Sequence, residues 1–125
     1  MATKTVLICD DDDHYREALE MSLESFGLDV IAVGDANSGF SMARSNKIEL
    51  AIIDVFMPDQ DGIELAQRLN NFHPALPILV CSGKSEVFQS TMVPMGLGFV
   101  SGLFPKTIEL DSLKRLVFDV LEEGN

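Results

Sequence analysis

The side chains best suited to chemistry fall at four points of the chain. The acidic run Asp10-Asp11-Asp12-Asp13 follows the apolar Val6-Leu7-Ile8-Cys9, and Asp54 follows Leu50-Ala51-Ile52-Ile53. Ser82 follows Ile78-Leu79-Val80-Cys81, and Lys106 follows Gly102-Leu103-Phe104-Pro105. If these apolar runs are neighbouring strands, three carboxylates, a hydroxyl and an ammonium converge. Converging carboxylates repel, so a purely structural cluster would be costly. A hard divalent cation relieves the repulsion, and Mg²⁺ prefers oxygen ligands while keeping some waters. A carboxylate can also act as a nucleophile and form an aspartyl phosphate. Phosphoryl transfer needs the equatorial oxygens neutralised by metal, lysine and hydrogen-bond donors. Asp54, Ser82, Lys106 and a cation held by the acidic run are the parts that chemistry asks for.

These residues need elements to position them, and the chain alternates short apolar runs with amphipathic stretches. Thr5–Cys9 reads as a first strand. From Asp13 to about Phe26, Leu19, Leu23 and Phe26 recur at helical spacing, and Gly27 stops that helix. Asp29–Val33 reads as a second strand and Ala36 to about Asn46 as a weaker helix, since Gly39 inside a helix costs roughly 1 kcal/mol. Leu50–Ile53 is a third strand, apolar at successive positions as expected when both faces are covered. Gly62–Asn71 predicts a helix with Ile63, Ala66 and Leu69 on one face. Pro77–Cys81 predicts a strand, Lys84 to about Met95 a helix, and Gly102–Phe104 a short strand. Thr107–Glu122 predicts a closing helix with Leu110, Leu113, Val117 and Val120 on its apolar stripe. Repeated strand–helix units imply a parallel sheet with helices on both faces. In such sheets ligands bind outside the carboxyl ends of the strands, where the candidate residues lie.

At this point the residues resemble a known family, the response-regulator receiver domains of two-component signalling. Val6-Leu7-Ile8-Cys9-Asp10-Asp11 with Arg16 resembles their opening. Asp54-Val55-Phe56-Met57-Pro58-Asp59-Gln60-Asp61-Gly62 matches their phosphorylation loop, Asp-x-x-Met-Pro-x-x-Asp-Gly. Pro77–Gly83 is similar to their fourth strand with its hydroxyl residue, and Lys106 sits like the family lysine. The resemblance covers essentially the whole chain and implies a single receiver domain over residues 1–125, whole or part of a longer regulator. It implies a flavodoxin-like α/β fold with five strands in the order 2-1-3-4-5 and five helices. Asp54 would accept a phosphoryl group from the phosphohistidine of a sensor histidine kinase or phosphotransfer protein. Asp11, Asp54 and the Phe56 backbone carbonyl would hold Mg²⁺, with Asp10 acting through water. Ser82 would bond the phosphoryl oxygens and Lys106 would meet their charge. The implied order separates strands one and four by about 9.6 Å, so Cys9 and Cys81 could not form a disulfide.

Four features depart from the family pattern. Thr107 follows Lys106 where proline, and with it a cis peptide, is usual. The segment from Ser82 to Lys106 is longer than is common, and Gly96–Gly102 reads as an irregular turn. Leu103 stands where many members place a switching aromatic, so a different output surface is expected. Phe56 stands where a polar residue could position attacking water, so slow phosphoryl hydrolysis is expected. The run from Gly96 to Lys106 is also similar to receivers joined to cyclic-di-GMP phosphodiesterase (EAL) domains, which suggests a linked output domain of that kind.

Composition bounds the remaining readings. At 125 residues, with 46% hydrophobic and 23% charged residues, the chain can bury a core. Its net charge of −11 disfavours direct contact with nucleic acid or an anionic membrane. No apolar run approaches the roughly 20 residues of a membrane helix, and Met1–Thr5 lacks a signal-peptide pattern, so a cytoplasmic location is expected. Asp12 and Asp13 read as the cap and first turn of the first helix. His14 reads as exposed, His73 as a turn residue, and Cys9 and Cys81 as buried apolar side chains. Met21, Met42, Met57, Met92 and Met95 read as fillers of core gaps. Two rival functions stand beside the phosphoacceptor. One is a degenerate receiver that binds partners without phosphate. The other is a phosphohydrolase of the haloacid-dehalogenase type, which would need Asp-x-Asp where the chain has Asp54-Val55-Phe56. The expectation is therefore a signalling module that is not an enzyme, and the residues leave homodimerisation through the fourth and fifth elements undecided.

Overall fold

Alternate residues of the central strands enter two separate cores, which explains why the strands are apolar at every position. The structure, a computed structural model, describes residues 3–58, 61–83, 92 and 94–123. β1 (Thr5–Cys9), β2 (Asp29–Val33), β3 (Leu50–Asp54), β4 (Ile78–Ser82) and β5 (Gly102–Pro105) form one parallel sheet in the order 2-1-3-4-5. Leu7, Cys9, Ala51, Ile53, Ile78 and Val80 pack on one face, beneath α2 (Ala36–Ser45) and α3 (Asp61–Phe72). Val6, Ile8, Leu50, Ile52, Leu79 and Cys81 pack on the other, beneath α1 (Asp13–Ser25) and α4 (Leu110–Glu123). The flavodoxin-like α/β fold and strand order implied by the family resemblance are thus borne out, with four helices among the described residues. The helix expected over Lys84–Met95 falls mostly outside those residues; Met92, Pro94 and Met95 lie in turns.

The helix ends follow the sequence signals. Asp12 caps α1, its carboxylate accepting from the amides of His14 and Tyr15 at 3.1 and 3.2 Å. Those bonds to the ionised form hold its pKa below the usual carboxylate range. After α1, Gly27 takes φ +88°, its amide bonding the Glu24 carbonyl and that of Leu28 the Leu23 carbonyl. This is a Schellman closure, which favours glycine at the left-handed position. Gly39 has a packing role inside α2. It is buried, and a Cβ there would stand 3.0 Å from Leu65, so its bareness lets α2 lie close to α3.

Several expectations need correction. The closing helix begins at Leu110 rather than Thr107, because the Ile108 amide first closes a turn on the Pro105 carbonyl at 2.9 Å. Leu110 is then 53% exposed, and Leu121 completes the buried stripe of Leu113, Val117 and Val120. On α3, Leu65 is buried whereas Ile63 is only partly so. Met57 and Met92 fill the core, but Met21 and Met42 are exposed. Cys9 and Cys81 are buried and free, as expected, on strands separated by β3.

Candidate phosphoacceptor and metal site

Each candidate residue lies at the carboxyl end of a strand. Asp10 follows β1, Asp54 closes β3, Ser82 closes β4 and Lys106 follows β5. The order 2-1-3-4-5 makes these ends neighbours. One carboxylate oxygen from each of Asp10, Asp11 and Asp54 lies within 4.8 Å of the others. Asp10 is 1% exposed and Asp54 4%, whereas Asp11 faces solvent. The Lys106 ammonium reaches both buried acids, 2.8 Å from Asp10 Oδ2 and 3.1 Å from Asp54 Oδ2.

The backbone fixes these side chains. The Phe56 amide donates to Asp54 Oδ1 at 2.9 Å, and the Asp12 amide donates to Asp10 Oδ1 at 2.9 Å. The Lys106 amide donates to the Ser82 carbonyl at 2.8 Å, tying the ends of β4 and β5 together. Ser82 itself is buried. Gly62 shows why the loop ends as it does. A Cβ at that position would overlap the Asp54 carbonyl oxygen, so the first turn of α3 can rest on the end of β3 only if glycine stands there. Two further residues shape the site. The Arg16 guanidinium donates to the Asp10 carbonyl at 2.8 Å, and the Lys106 ammonium lies 4.7 Å from the centroid of the Tyr15 ring. Arg16 was part of the family-like opening, but Tyr15 was missed. Its only sequence signal is its place in the first turn of α1, two residues after the acidic run.

Electrostatically the site holds more negative charge than its lysine can balance. Burial pushes the Asp10 carboxyl above the usual range and Asp54 adds repulsion, against the lowering effect of Lys106 and the Asp12 amide. Burial alone would lower the Lys106 pKa, but bonding to Asp10 and Asp54 prevails and raises it. Asp10 Oδ2 is buried and touches the ammonium, yet makes no well-directed hydrogen bond. A buried oxygen left so, among three carboxylates facing one ammonium, fits a hard oxygen-seeking divalent cation. The burial of Cys9 and Asp35 beside it push that thiol up to about 12, so it stays protonated and takes no part as a thiolate.

Comparison with known proteins bears on the family and the fold. Residues 6–118 match the response regulator receiver domain family. The chain is 34% identical over 96 residues to response regulator GtcR of Aneurinibacillus migulanus, covering 77% of this chain and 39% of that protein. It is 30% identical over 123 residues to the DNA-binding transcriptional regulator NtrC of Bradyrhizobium sp., covering 98% of this chain and 25% of that one. The chain therefore spans about a quarter to two-fifths of the length of these curated relatives. A CheY-like receiver domain from Methanospirillum hungatei JF-1 shares the fold, with a TM-score of 0.88 at 22% identity, covering 98% of this chain and 97% of that one. On the match across residues 6–118, the chain belongs to the response regulator receiver domain family.

Proposed function

We propose that this receiver domain is a Mg²⁺-dependent phosphoacceptor whose modified residue is Asp54. The observation that carries the reading is the convergence of three carboxylates at the strand ends, two of them buried and sharing one lysine, with Asp10 Oδ2 contacted only by that ammonium. Asp11, Asp54 and the Phe56 carbonyl would hold the ion, with Asp10 acting through water. When bound, Mg²⁺ supplies a positive charge that neutralises developing negative charge on the phosphoryl oxygens.

The chain's own residues do the rest. An Asp54 carboxylate oxygen forms the new O–P bond as the N–P bond of a histidine kinase phosphohistidine breaks, and the electron pair leaves with the imidazole nitrogen. The Phe56 amide holds the Asp54 carboxylate in one orientation. Lys106, released from part of its contact with the two acids, meets the new phosphoryl charge. The Ser82 hydroxyl donates to a phosphoryl oxygen. Phe56, 39% exposed beside Asp54, offers attacking water no hydrogen bond, so the acyl phosphate hydrolyses slowly. Phosphorylation in turn changes affinity for an output partner. An output domain belongs to this proposal because the relatives are longer than this chain; an EAL-type domain rests on the resemblance of residues 96–106 alone. Turnover of external substrates forms no part of the reading, and nor do nucleic-acid or membrane contacts. Among the described residues no helix is long and apolar enough to cross a membrane.

The test is intact mass after incubation with acetyl phosphate, with and without Mg²⁺, beside Asp54→Asn. A Mg²⁺-dependent gain of one phosphate, absent in the variant, is expected. No gain from acetyl phosphate or from a phosphorylated kinase domain, with no Mg²⁺ binding, would identify a degenerate receiver. Sustained phosphate release from small esters would identify an enzyme instead.

A further inference from the structure

The opposite end of the α2–α3 layer carries a surface that the phosphoacceptor chemistry does not use. Residues 36–48 and 65–77 contain no aspartate or glutamate, although the chain has 20. The same two stretches hold Arg44, Lys47 and Arg68, three of the chain's nine lysines and arginines, together with His73. The fold brings them together around exposed aromatic surface. Phe72 is 52% exposed and stacks edge-on against Phe40, with ring centroids 5.7 Å apart. The guanidiniums of Arg68 and Arg44 stand 4.1 and 5.8 Å from the Phe40 centroid. Beside Phe72 opens a cavity of about 280 Å³, walled by Ala43, Ile48, Phe72 and Leu76 and rimmed by Arg44, Lys47 and His73.

The surrounding acids do not neutralise this end. Asp35, Asp61 and Glu64 gather at the other end of the two helices, where Arg68 reaches towards them. Glu49, next in the chain after Ile48, is half-buried, accepts from the Thr5 amide and does not line the hollow. At the α2 C-terminus the Asn46 amide and side chain both donate to the Met42 carbonyl, at 3.0 Å, and Arg44 stands in the last turn, where a cation suits the helix dipole. Arg44 and Lys47 therefore point their charge at solvent, beside an apolar hollow.

We infer that this end of the α2–α3 layer is a docking surface for a short acidic peptide segment bearing one apolar anchor side chain. The anchor fills the hollow at Phe72 and Leu76, and carboxylates on the segment meet Arg44, Lys47 and His73. Charge range favours a short segment over a polyanion. At physiological ionic strength an exposed charge is felt over about 8 Å, so a short segment meets mainly the local positive charge. A nucleic acid spans much further and would run onto the faces that give the chain its net charge of −11. The surface lies at the amino ends of the strands, remote from Asp54, so docking does not depend on phosphorylation.

Selection of a random twelve-residue peptide library on the whole chain tests this inference. The overall charge of −11 would by itself enrich basic peptides. Local recognition enriches peptides with several Asp or Glu and one aromatic or aliphatic residue. The selected peptides should bind the charge-reversed variant Arg44→Glu/Lys47→Glu at least about tenfold more weakly, and Arg44→Gln/Lys47→Gln by an intermediate amount. Both variants should remain folded with a Tm within a few degrees of wild type, since both positions are exposed and Arg44 loses only its place at the α2 C-terminus and beside Phe40. Basic or neutral selected sequences, absence of any selectable binder, or acidic binders indifferent to both variants would each overturn the inference. So would binding of a dT12 oligonucleotide that both variants abolish while the peptides are unaffected.

Discussion

At the carboxyl ends of the strands Asp10 and Asp54 are buried against a partly covered Lys106, while at the far end of the α2–α3 layer Arg44 and Lys47 stand in water around a shallow hollow. Both regions concentrate charge, but under different physics. A buried charge loses its hydration, so each neighbour changes its ionisation and its energy strongly. An exposed charge is screened within about 8 Å at physiological ionic strength and can be altered with little effect on the fold. The first region therefore suits chemistry, where small displacements must have large consequences. The second suits reversible docking, where local sign matters more than exact placement.

Several variants would break or sharpen this contrast. The largest effect is expected from Lys106→Met, which leaves Asp10 and Asp54 facing each other and removes the ammonium that meets phosphoryl charge. Its rate of phosphorylation by acetyl phosphate should fall by about 100-fold, the scale of losing one preorganised electrostatic partner. A rate within a few-fold of wild type would remove Lys106 from the reaction. Phe56→Asn should act in the opposite direction on a later step, speeding loss of phosphate from Asp54 by about tenfold by giving water a partner. Release of ³²P from the labelled protein checks this, and an unchanged rate would dismiss the water-exclusion role.

Asp10→Asn addresses the charge imbalance. In the metal-free protein the raised pKa of Asp10 makes a contribution to stability that is present at acid pH and lost as pH rises through the folded value. The variant should therefore have a Tm a few degrees higher than wild type at neutral pH without Mg²⁺, and the gap should narrow as pH falls. Added Mg²⁺ should stabilise the wild type more than the variant. Thermal scans over a pH series with EDTA or Mg²⁺ read both signs, and a lower Tm for the variant in EDTA would contradict the imbalance.

A pair of glycines compares the two ends of the sheet directly. Gly62→Ala forces a methyl against the Asp54 carbonyl and should cost about 1–3 kcal/mol, as overpacking does, with slowed phosphorylation. Gly27→Ala has nothing within 4 Å of its Cβ and should lose only about 1 kcal/mol for its left-handed backbone, with phosphorylation unchanged. Equal effects on phosphorylation would mean that the close approach at Gly62 does not position Asp54.

Much of this molecule was legible in the chain. Successive apolar residues in Leu50–Ile53 announced a strand covered on both faces, and the two cores take alternate residues of it. The acidic run, Asp54, Ser82 and Lys106 were identifiable because each ends an apolar run, and a parallel sheet brings such ends to one edge. Asp12 was recognisable as a cap because capping needs only neighbouring backbone. What the sequence alone determined was thus local periodicity, caps and which polar side chains stand at the strand ends, since these depend on residues close together in the chain. Tertiary structure decided which apolar residues are buried, exposing Leu110, which spacing put in the core, and Met21, which its residue type suggested as a core filler. It set Tyr15 beside Lys106 and Gly62 against the Asp54 carbonyl. It also joined Arg44 and Phe72, from different helices, around one hollow. Contacts between residues distant in sequence depend on how helices sit on the sheet, and no spacing rule within a single helix contains that information.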